Sequence, residues 1–345
     1  MKISFYDKLN NHNIQLANML YRGIENPSVS QLVLLPFSLN GSNSLKYALA
    51  KDDEGNLKGY CIIIESQSNL FPFIKTAKIQ FGPICEKSEI EIILLSKIYS
   101  YYKDLKFAKI EIQLRHVAGQ ESENIFNSLS RTFSFYHKYN KNNRCTIHIQ
   151  LSRTLEEIQG DFSSVLSKNI RSAINKNVKV QLSLSNEEFK EFALLYTKMG
   201  NKRGAIHYTE TYLFDLCRFL ITSKNGFLLC SFVDKKMIGG GLFVDQGEKT
   251  EYLIGATDPD YKKIPSSHLV LYEAIKFAKK EGKKIFDLGG IGYYAETNDQ
   301  IHNINQFKET FSKNHVFYAK LMYVDMRPFY LYTLKILSFL KNRWS

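Results

Sequence analysis

The sequence predicts a two-domain α/β protein in which each half is a mixed, twisted sheet flanked by helices. Three observations lead there. The chain has 345 residues, more than one hydrophobic core usually organises. Its 44% hydrophobic and 23% charged content is that of a globular protein. One order of elements, hairpin, strand, helix and strand, can be read twice along it.

In the first half, Lys46–Lys51 reads as a strand, Asp52–Asn56 as a turn and Leu57–Ile64 as the returning strand of a hairpin. Ala77–Phe81 is a third strand, stopped by Gly82 and Pro83. Ile92, Leu95, Ile98 and Tyr102 recur at helical spacing, so Glu89–Tyr102 is a helix. Ala108–Ile112 closes the unit as a strand.

The second half repeats this order. Gly226–Val233 and Met237–Val244 form a hairpin around Asp234–Lys236, and Glu251–Ile254 is the third strand, ending at Gly255. Ser267–Lys280 is an amphipathic helix stopped by Gly282, and Lys284–Leu288 is the closing strand. Gly59 with Gly239, Gly82 with Gly255 and Ile110 with Ile285 fall at nearly equal offsets, as a duplication requires. Between the halves, Leu166–Val180 reads as a helix with Ile170, Ala173 and Ile174 on one face and cationic residues mostly elsewhere. Ser185–Glu188 is a capping box that starts another helix, carrying Phe189, Phe192, Leu195 and Tyr196. The expected domains are residues 1–150 and 151–325, with an aromatic, cationic helical tail over 326–345.

Several classes are excluded. The five cysteines are scattered and form no CxxC pair, which argues against a disulfide framework or a structural zinc site. The eight histidines show no metal-binding spacing. No apolar signal-peptide core or membrane-length apolar run occurs, so a cytoplasmic protein is expected. The net charge of +12 has two readings: a solvated lysine surface, or a basic face for phosphates, anionic lipid headgroups or tRNA.

The duplicated layout is that of tandem acetyltransferase-like (GNAT-like) domains, in which two neighbouring strands splay apart to admit an acyl donor. An acyl-CoA donor needs a glycine-rich turn whose N–H groups hold the pyrophosphate at a helix N-terminus. The corresponding stretch, Tyr261–His268, has no glycine, and Pro265 has no N–H to offer. In the first half, Gly82–Lys87 is no better suited.

Four stretches resemble the Fem family of peptidoglycan aminoacyltransferases and the related polysaccharide-cluster acyltransferases. They are the basic segment Lys168–Lys176, the strand Tyr252–Ala256, the helix His268–Lys276 with the strand Phe286–Gly290, and the Phe-Lys-x-x-Phe motif Phe307–Phe311. Phe81–Ile84 is a fainter echo in the first half, where the family's usual tryptophan is missing, the sole tryptophan being Trp344. The resemblance implies tandem GNAT-like domains and aminoacyl-tRNA as donor. It also implies that Lys308 lies near the aminoacyl ester and that Arg171 and Lys168 hold acceptor phosphates; Phe307 could stack on the terminal adenine or simply pack in the core beside Phe311.

Beside these stand candidates read from residue chemistry. Tyr252 and His268 offer polar tips to the donor, and His268 has the side chain of a general base. Asp287, before Gly289 and Gly290, could accept the amine proton or simply bind the N–H groups of the following turn. The leading expectation is transfer of an aminoacyl or small acyl group to an amine of a nucleotide- or lipid-linked cell-envelope precursor, either peptidoglycan or surface polysaccharide, without metal or redox cofactor. An N-acyltransferase using acetyl-CoA on an amino sugar, and an inert protein that binds tRNA or the precursor, remain open. The tail either docks on a domain or lies on the inner leaflet as a peripheral anchor.

Overall fold

The structure, a computed structural model, describes residues 1–25, 27–33, 35, 43–68, 71–137, 145–203, 208–293 and 300–327. The chain separates into two units: Met1–Val33, Leu39–Arg144 and the chain from Phe317 make one, and Cys145–Val316 the other.

In the first unit, Lys2–Tyr6 (β1) pairs antiparallel with Asn43–Lys51 (β2), after a helix Asn11–Gly23 (α1) whose N-cap Asn10 accepts from the Asn13 N–H at 2.8 Å. β2 and Leu57–Gln67 (β3) form the predicted hairpin. Its turn is held by the Asp52 carboxylate, which accepts from the N–H groups of Glu54 and Asn56, with Gly55 at φ +90°. Lys75–Gln80 (β4) and Ile84–Cys85 (β5) both pair with β3. The helix Ser88–Asp104 (α2) then leads to Lys109–Gln113 (β6), which runs parallel to β4 over five residues, from Thr76 opposite Lys109 to Gln80 opposite Gln113. Gln120–Phe133 (α3) and the short strand Tyr136–His137 (β7) follow. Ile63, Ile79 and Ile110 on the sheet and Leu94, Leu95 and Ile98 on α2 are buried together.

The second unit opens with Cys145–Gln150 (β8), then Leu155–Gly160 (α4) and Ser164–Asn175 (α5). The helix expected to reach Val180 stops at Asn175, because Asn177 adopts a left-handed φ of 56° and Lys179–Ser183 becomes an edge strand (β9). Asn186–Arg203 (α6) starts at the predicted capping box, with Ser185 and Glu188 each accepting from the other's N–H, and buries Phe189, Phe192, Leu195 and Tyr196. Glu210–Thr222 (α7), Gly226–Val233 (β10) and Lys236–Gln246 (β11) follow, with Asp234 and Lys235 at positive φ in the tight turn between the last two. Lys249–Thr257 (β12), Ser266–Lys280 (α8), Ile285–Ile291 (β13), Gln300–Glu309 (α9) and His315–Phe317 (β14) complete the unit. The sheet runs β14-β8-β13-β12-β11-β10-β9. Phe277 of α8 packs on Phe227 at 4.5 Å between ring centroids, and Phe243 stacks on Phe227 at 4.9 Å.

The sequence-drawn boundary at residue 150 needs correcting at both ends. β8 belongs to the second sheet, where it pairs antiparallel with β13. Met322–Asp325 (β15), expected in the second domain, pairs antiparallel with β6 and gives the first sheet its order β1-β2-β3-β4-β6-β15-β7. Each parallel pair is thus flanked by an antiparallel strand that covers what would otherwise be an open edge. The expected helical tail lies outside the described residues beyond Arg327. All five cysteines are buried free thiols. Among the described residues, no helix is long and apolar enough to cross a membrane.

Candidate active site

β12 and β13 are parallel neighbours for only three residues, from Lys249 opposite Ile285 to Glu251 opposite Asp287. Both strands continue, to Thr257 and Ile291, but no further pair joins them among the described residues. The strand expected to end at Leu288 therefore runs on, and Asp287 sits at the point where pairing stops. Beyond it, Gly289 has φ +77°, and a Cβ there would meet the Tyr252 carbonyl oxygen at 2.7 Å. Only glycine makes this turn while letting the two backbones approach so closely.

Lys308, on α9, reaches the opening: its Nζ donates to the Gly290 carbonyl at 2.8 Å, and its side chain is 8% exposed. Burial pulls its pKa down to about 8, against the opposing pull of Asp287 and Glu251. Phe307 packs edge-on against His268 at 4.8 Å and against Phe311 at 5.8 Å.

Asp287 is 1% exposed and its carboxylate is fully engaged. It accepts from the Thr146 hydroxyl, from the Gly289 N–H at 2.8 Å and from Lys249 Nζ at 3.1 Å, with His148 Nε2 at 3.4 Å. Burial opposes its charge, but Lys249, His148 and Thr146 outweigh that and hold the carboxyl well below the usual range. An acid so stabilised as carboxylate is a poor proton acceptor, and the turn-binding role weighed from sequence is what the geometry displays. Lys249 Nζ also lies 3.9 Å from Glu251, which accepts from Gln246 Nε2 at 2.6 Å. Burial and the neighbouring Asp287 push the Glu251 carboxyl up, against the pull of Lys249.

A cavity of about 340 Å³ lies at the C-terminal end of β12 and the start of α8. Met199, Ile264, Pro265 and Phe307 give it apolar walls, while Lys202 and Lys262 supply positive charge. The loop beneath is glycine-free and folds its N–H groups inward: Tyr261 donates to Asp258, Ile264 to Tyr261, and Ser266 to Ile264. Asp258 is anchored in turn by Lys198 at 2.7 Å and Lys236 at 3.6 Å. His268 lines this cavity, and burial pushes its pKa down to about 4. It is neutral at physiological pH and too weak a base for the expected proton acceptor, but it can still hydrogen-bond, as it does through Nε2 to the Asn169 amide at 3.3 Å. Tyr252 lays its ring across Gly241 and Gly255, where a Cβ at 255 would overlap its hydroxyl.

On α5, Lys168 and Arg171 line a separate concavity of about 520 Å³ together with Ser172, Asn175 and Lys176. Lys176 Nζ donates to the Lys263 carbonyl at 2.9 Å, tying this helix to the loop that carries Lys262, Ile264 and Pro265. The sequence candidates thus fall at several places. Lys308 and Asp287 meet the strand opening, Phe307 and His268 line the cavity, the Tyr252 ring packs on Gly241 and Gly255, and Lys168 and Arg171 lie on the neighbouring helix. Sequence reading missed Lys249, Glu251 and His148; charged and imidazole side chains inside strands destined for a sheet interior were the available signal.

The profile of the FemAB family matches residues 231–318, a stretch that carries β12, α8, β13 and α9. The lipid II:glycine glycyltransferase of Staphylococcus haemolyticus is 28% identical over 130 residues, 36% of this chain and 31% of that protein. The chain spans about a third of the length of the curated relatives it matches. The crystal structure of FemX superposes with a TM-score of 0.78 over 97% of this chain and 99% of that one, at 15% identity. A tandem GNAT protein from the clavulanic acid biosynthesis pathway gives 0.53 over 94% and 99%, at 7% identity. These two likenesses establish the tandem GNAT-like fold, and residues 231–318 within it are similar to the FemAB family.

Proposed function

We propose that this protein is an aminoacyltransferase that passes an amino acid from aminoacyl-tRNA to an amine of a peptidoglycan precursor. The observation that carries the reading is the opening between β12 and β13 with the Lys308 ammonium at its closed end. An ester carbonyl lying there has a cation beside the oxygen on which charge develops. Attack by the acceptor amine forms the C–N bond. Collapse of the tetrahedral intermediate breaks the C–O bond to the ribose, and the proton lost by nitrogen ends on the departing oxygen. The first unit offers no such opening: β4 and β6 stay paired to their ends, and the Gly82 N–H donates onward to Gln113.

The choice of donor rests on the loop before α8. Its N–H groups bond within the loop and Pro265 stands at the helix N-cap, so a CoA pyrophosphate finds no backbone cradle. The apolar, lysine-flanked cavity beside it suits a terminal adenosine, with Phe307 offering a stacking surface worth about 1–3 kcal/mol. Lys168 and Arg171 are suited to the phosphates of the acceptor, and the lipid II named for the staphylococcal relatives supports a lipid-linked one. Such an acceptor would bring a cytoplasmic enzyme to the inner face of the membrane. The test is binding at near-physiological salt of charged tRNA, uncharged tRNA and acetyl-CoA. Preference for charged tRNA is expected. Saturable acetyl-CoA binding with only salt-sensitive tRNA association would overturn the proposal in favour of an acyl-CoA enzyme.

A further inference from the structure

Two walls of the cavity beside α8 come from elements far apart in sequence. α6 supplies Met199 and Lys202, and the loop from β12 to α8 supplies Pro259, Lys262 and Ile264. Asp258 stands where that loop leaves β12, and its side chain is only 3% exposed. The carboxylate accepts from Lys198 Nζ of α6 at 2.7 Å and from the Asp260 N–H of its own turn at 3.0 Å, with Lys236 Nζ of β11 at 3.6 Å. Its main chain is fixed as well: the N–H donates to the Ile238 carbonyl at 2.8 Å, and the carbonyl accepts from the Tyr261 N–H at 2.9 Å. Lys198 comes one residue before Met199 and one helical turn before Lys202, so its bond to Asp258 joins the helix wall to the loop wall. Lys198 also meets Asp260 at 2.7 Å, but that carboxylate is 60% exposed, where water screens the attraction.

We propose that Asp258 is a positioning residue: through Lys198 it fixes the spacing between the α6 wall and the loop wall, and so sets how tightly the cavity holds the terminal nucleotide of the donor. The inference rests on the reading of this cavity as the seat of that nucleotide. By charge alone, a carboxylate beside a phosphate-bearing ligand works against binding. Buried and met by two lysines, this one is placed to hold walls together instead of meeting the ligand. The turns of the loop run main chain to main chain, from Tyr261 to Asp258, Ile264 to Tyr261 and Ser266 to Ile264, so they survive loss of the charge. The link to α6 does not survive intact, since Lys198 then keeps only the exposed Asp260 as an anionic partner. A weaker bond, from the Thr257 hydroxyl to the Met199 sulfur at 3.9 Å, joins the same two walls.

The experiment follows the Met199 methyl signal by NMR of methionine-labelled full-length protein, assigned through Met199→Leu, during titration with adenosine 5′-monophosphate and with uncharged tRNA. Charge and position predict opposite signs for Asp258→Asn. Removing an anion near a phosphate-bearing ligand tightens binding, whereas loosening a preorganised wall weakens it. Asp258→Asn is expected to bind both probes about tenfold more weakly, and to raise KM for charged tRNA by a similar factor with kcat changed much less. Lys198→Met combined with Asp258→Asn leaves the net charge as it was, so charge alone predicts wild-type affinity; loss of the tie predicts affinity no better than that of Asp258→Asn. Binding as tight as the wild type, or tighter, in folded Asp258→Asn overturns the proposal. Should that variant not fold, unchanged affinity in Lys198→Met does so. A wild-type Met199 signal moved by neither probe refutes the cavity as the seat of the nucleotide, and the proposal falls with that reading; a signal that moves equally in wild type and Asp258→Asn refutes the positioning role alone.

Discussion

Replacing Asp287 by asparagine tests whether this carboxylate is part of the scaffold or of the chemistry. The substitution keeps the shape and the bond from the Gly289 N–H but removes the charge that faces Lys249 at 3.1 Å. At an effective dielectric of about 20, that attraction is worth about 5 kcal/mol before desolvation. Breaking one side of a buried pair costs about 3–5 kcal/mol overall, and the low end applies because Lys249 retains Glu251 at 3.9 Å. For a domain of this size, about 3 kcal/mol lowers Tm by roughly 6–12 °C, readable by calorimetry. Lys249→Met combined with Asp287→Asn removes both charges, so the double variant should be clearly more stable than the summed single losses allow. The acid side follows the same logic. The carboxyl is held below its ordinary value, so its stabilisation is complete above the unfolded pKa of ~3.9 and is lost as pH falls toward the lower folded value. A folded Asp287→Asn variant with unchanged Tm and no transfer activity would refute this reasoning and make Asp287 a proton acceptor.

Three other outcomes are expected. Lys308→Met should abolish transfer while raising stability at neutral pH by about 1–2 kcal/mol, since the fold no longer holds a buried cation whose pKa lies below its unfolded value; the gain should shrink above pH 8. Thermal melts across pH 6–10 check the sign. Gly289→Ala should cost at least about 1–2 kcal/mol from its positive φ alone, with more from pushing Tyr252 away, and should reduce activity by widening the opening. Arg171→Ala should raise KM for a phosphate-bearing acceptor about tenfold with kcat nearly unchanged, measured by steady-state kinetics.

The duplicated hairpin–strand–helix–strand order was legible because its signals are local. Runs of strand-forming residues on either side of the turns Asp52–Asn56 and Asp234–Lys236 mark β2, β3, β10 and β11, Ile92–Tyr102 keeps a helical period, and Gly282, at φ +77°, ends α8 where expected. What escaped depends on distant partners. β8 and β15 are short strands that acquire meaning only when paired with β13 and β6. The helix over Leu166–Val180 was drawn too long because only the backbone reveals the left-handed turn at Asn177. Lys308 could be singled out by its motif, but nothing local says that its Nζ would find the Gly290 carbonyl. His268 looked like a base of suitable pKa until burial among Phe307 and Phe311 removed that option.

The two units show what separates a strand pair that stays closed from one that parts. In both, a helix crosses from the third strand of the hairpin sheet to a parallel partner. In the first, β4 and β6 carry aliphatic residues, Ala77 opposite Ile110 and Ile79 opposite Ile112, and pair to their ends. In the second, the equivalent positions carry Lys249, Glu251 and Asp287, followed by Gly289 and Gly290. An open strand edge leaves peptide groups without partners, which costs stability unless side chains or a ligand meet them. Lys308 meets the Gly290 carbonyl, and Asp287 meets the Gly289 N–H. The buried charges are therefore tied to the opening itself: they hold a split sheet in place and leave a cation at its closed end. Filling the second unit with the first unit's residues, Glu251→Ile with Asp287→Ile, should on this argument leave Lys308 without either anion, lower its proton affinity further and stop transfer at neutral pH, even if Lys249→Met is added to spare the fold an unpaired charge.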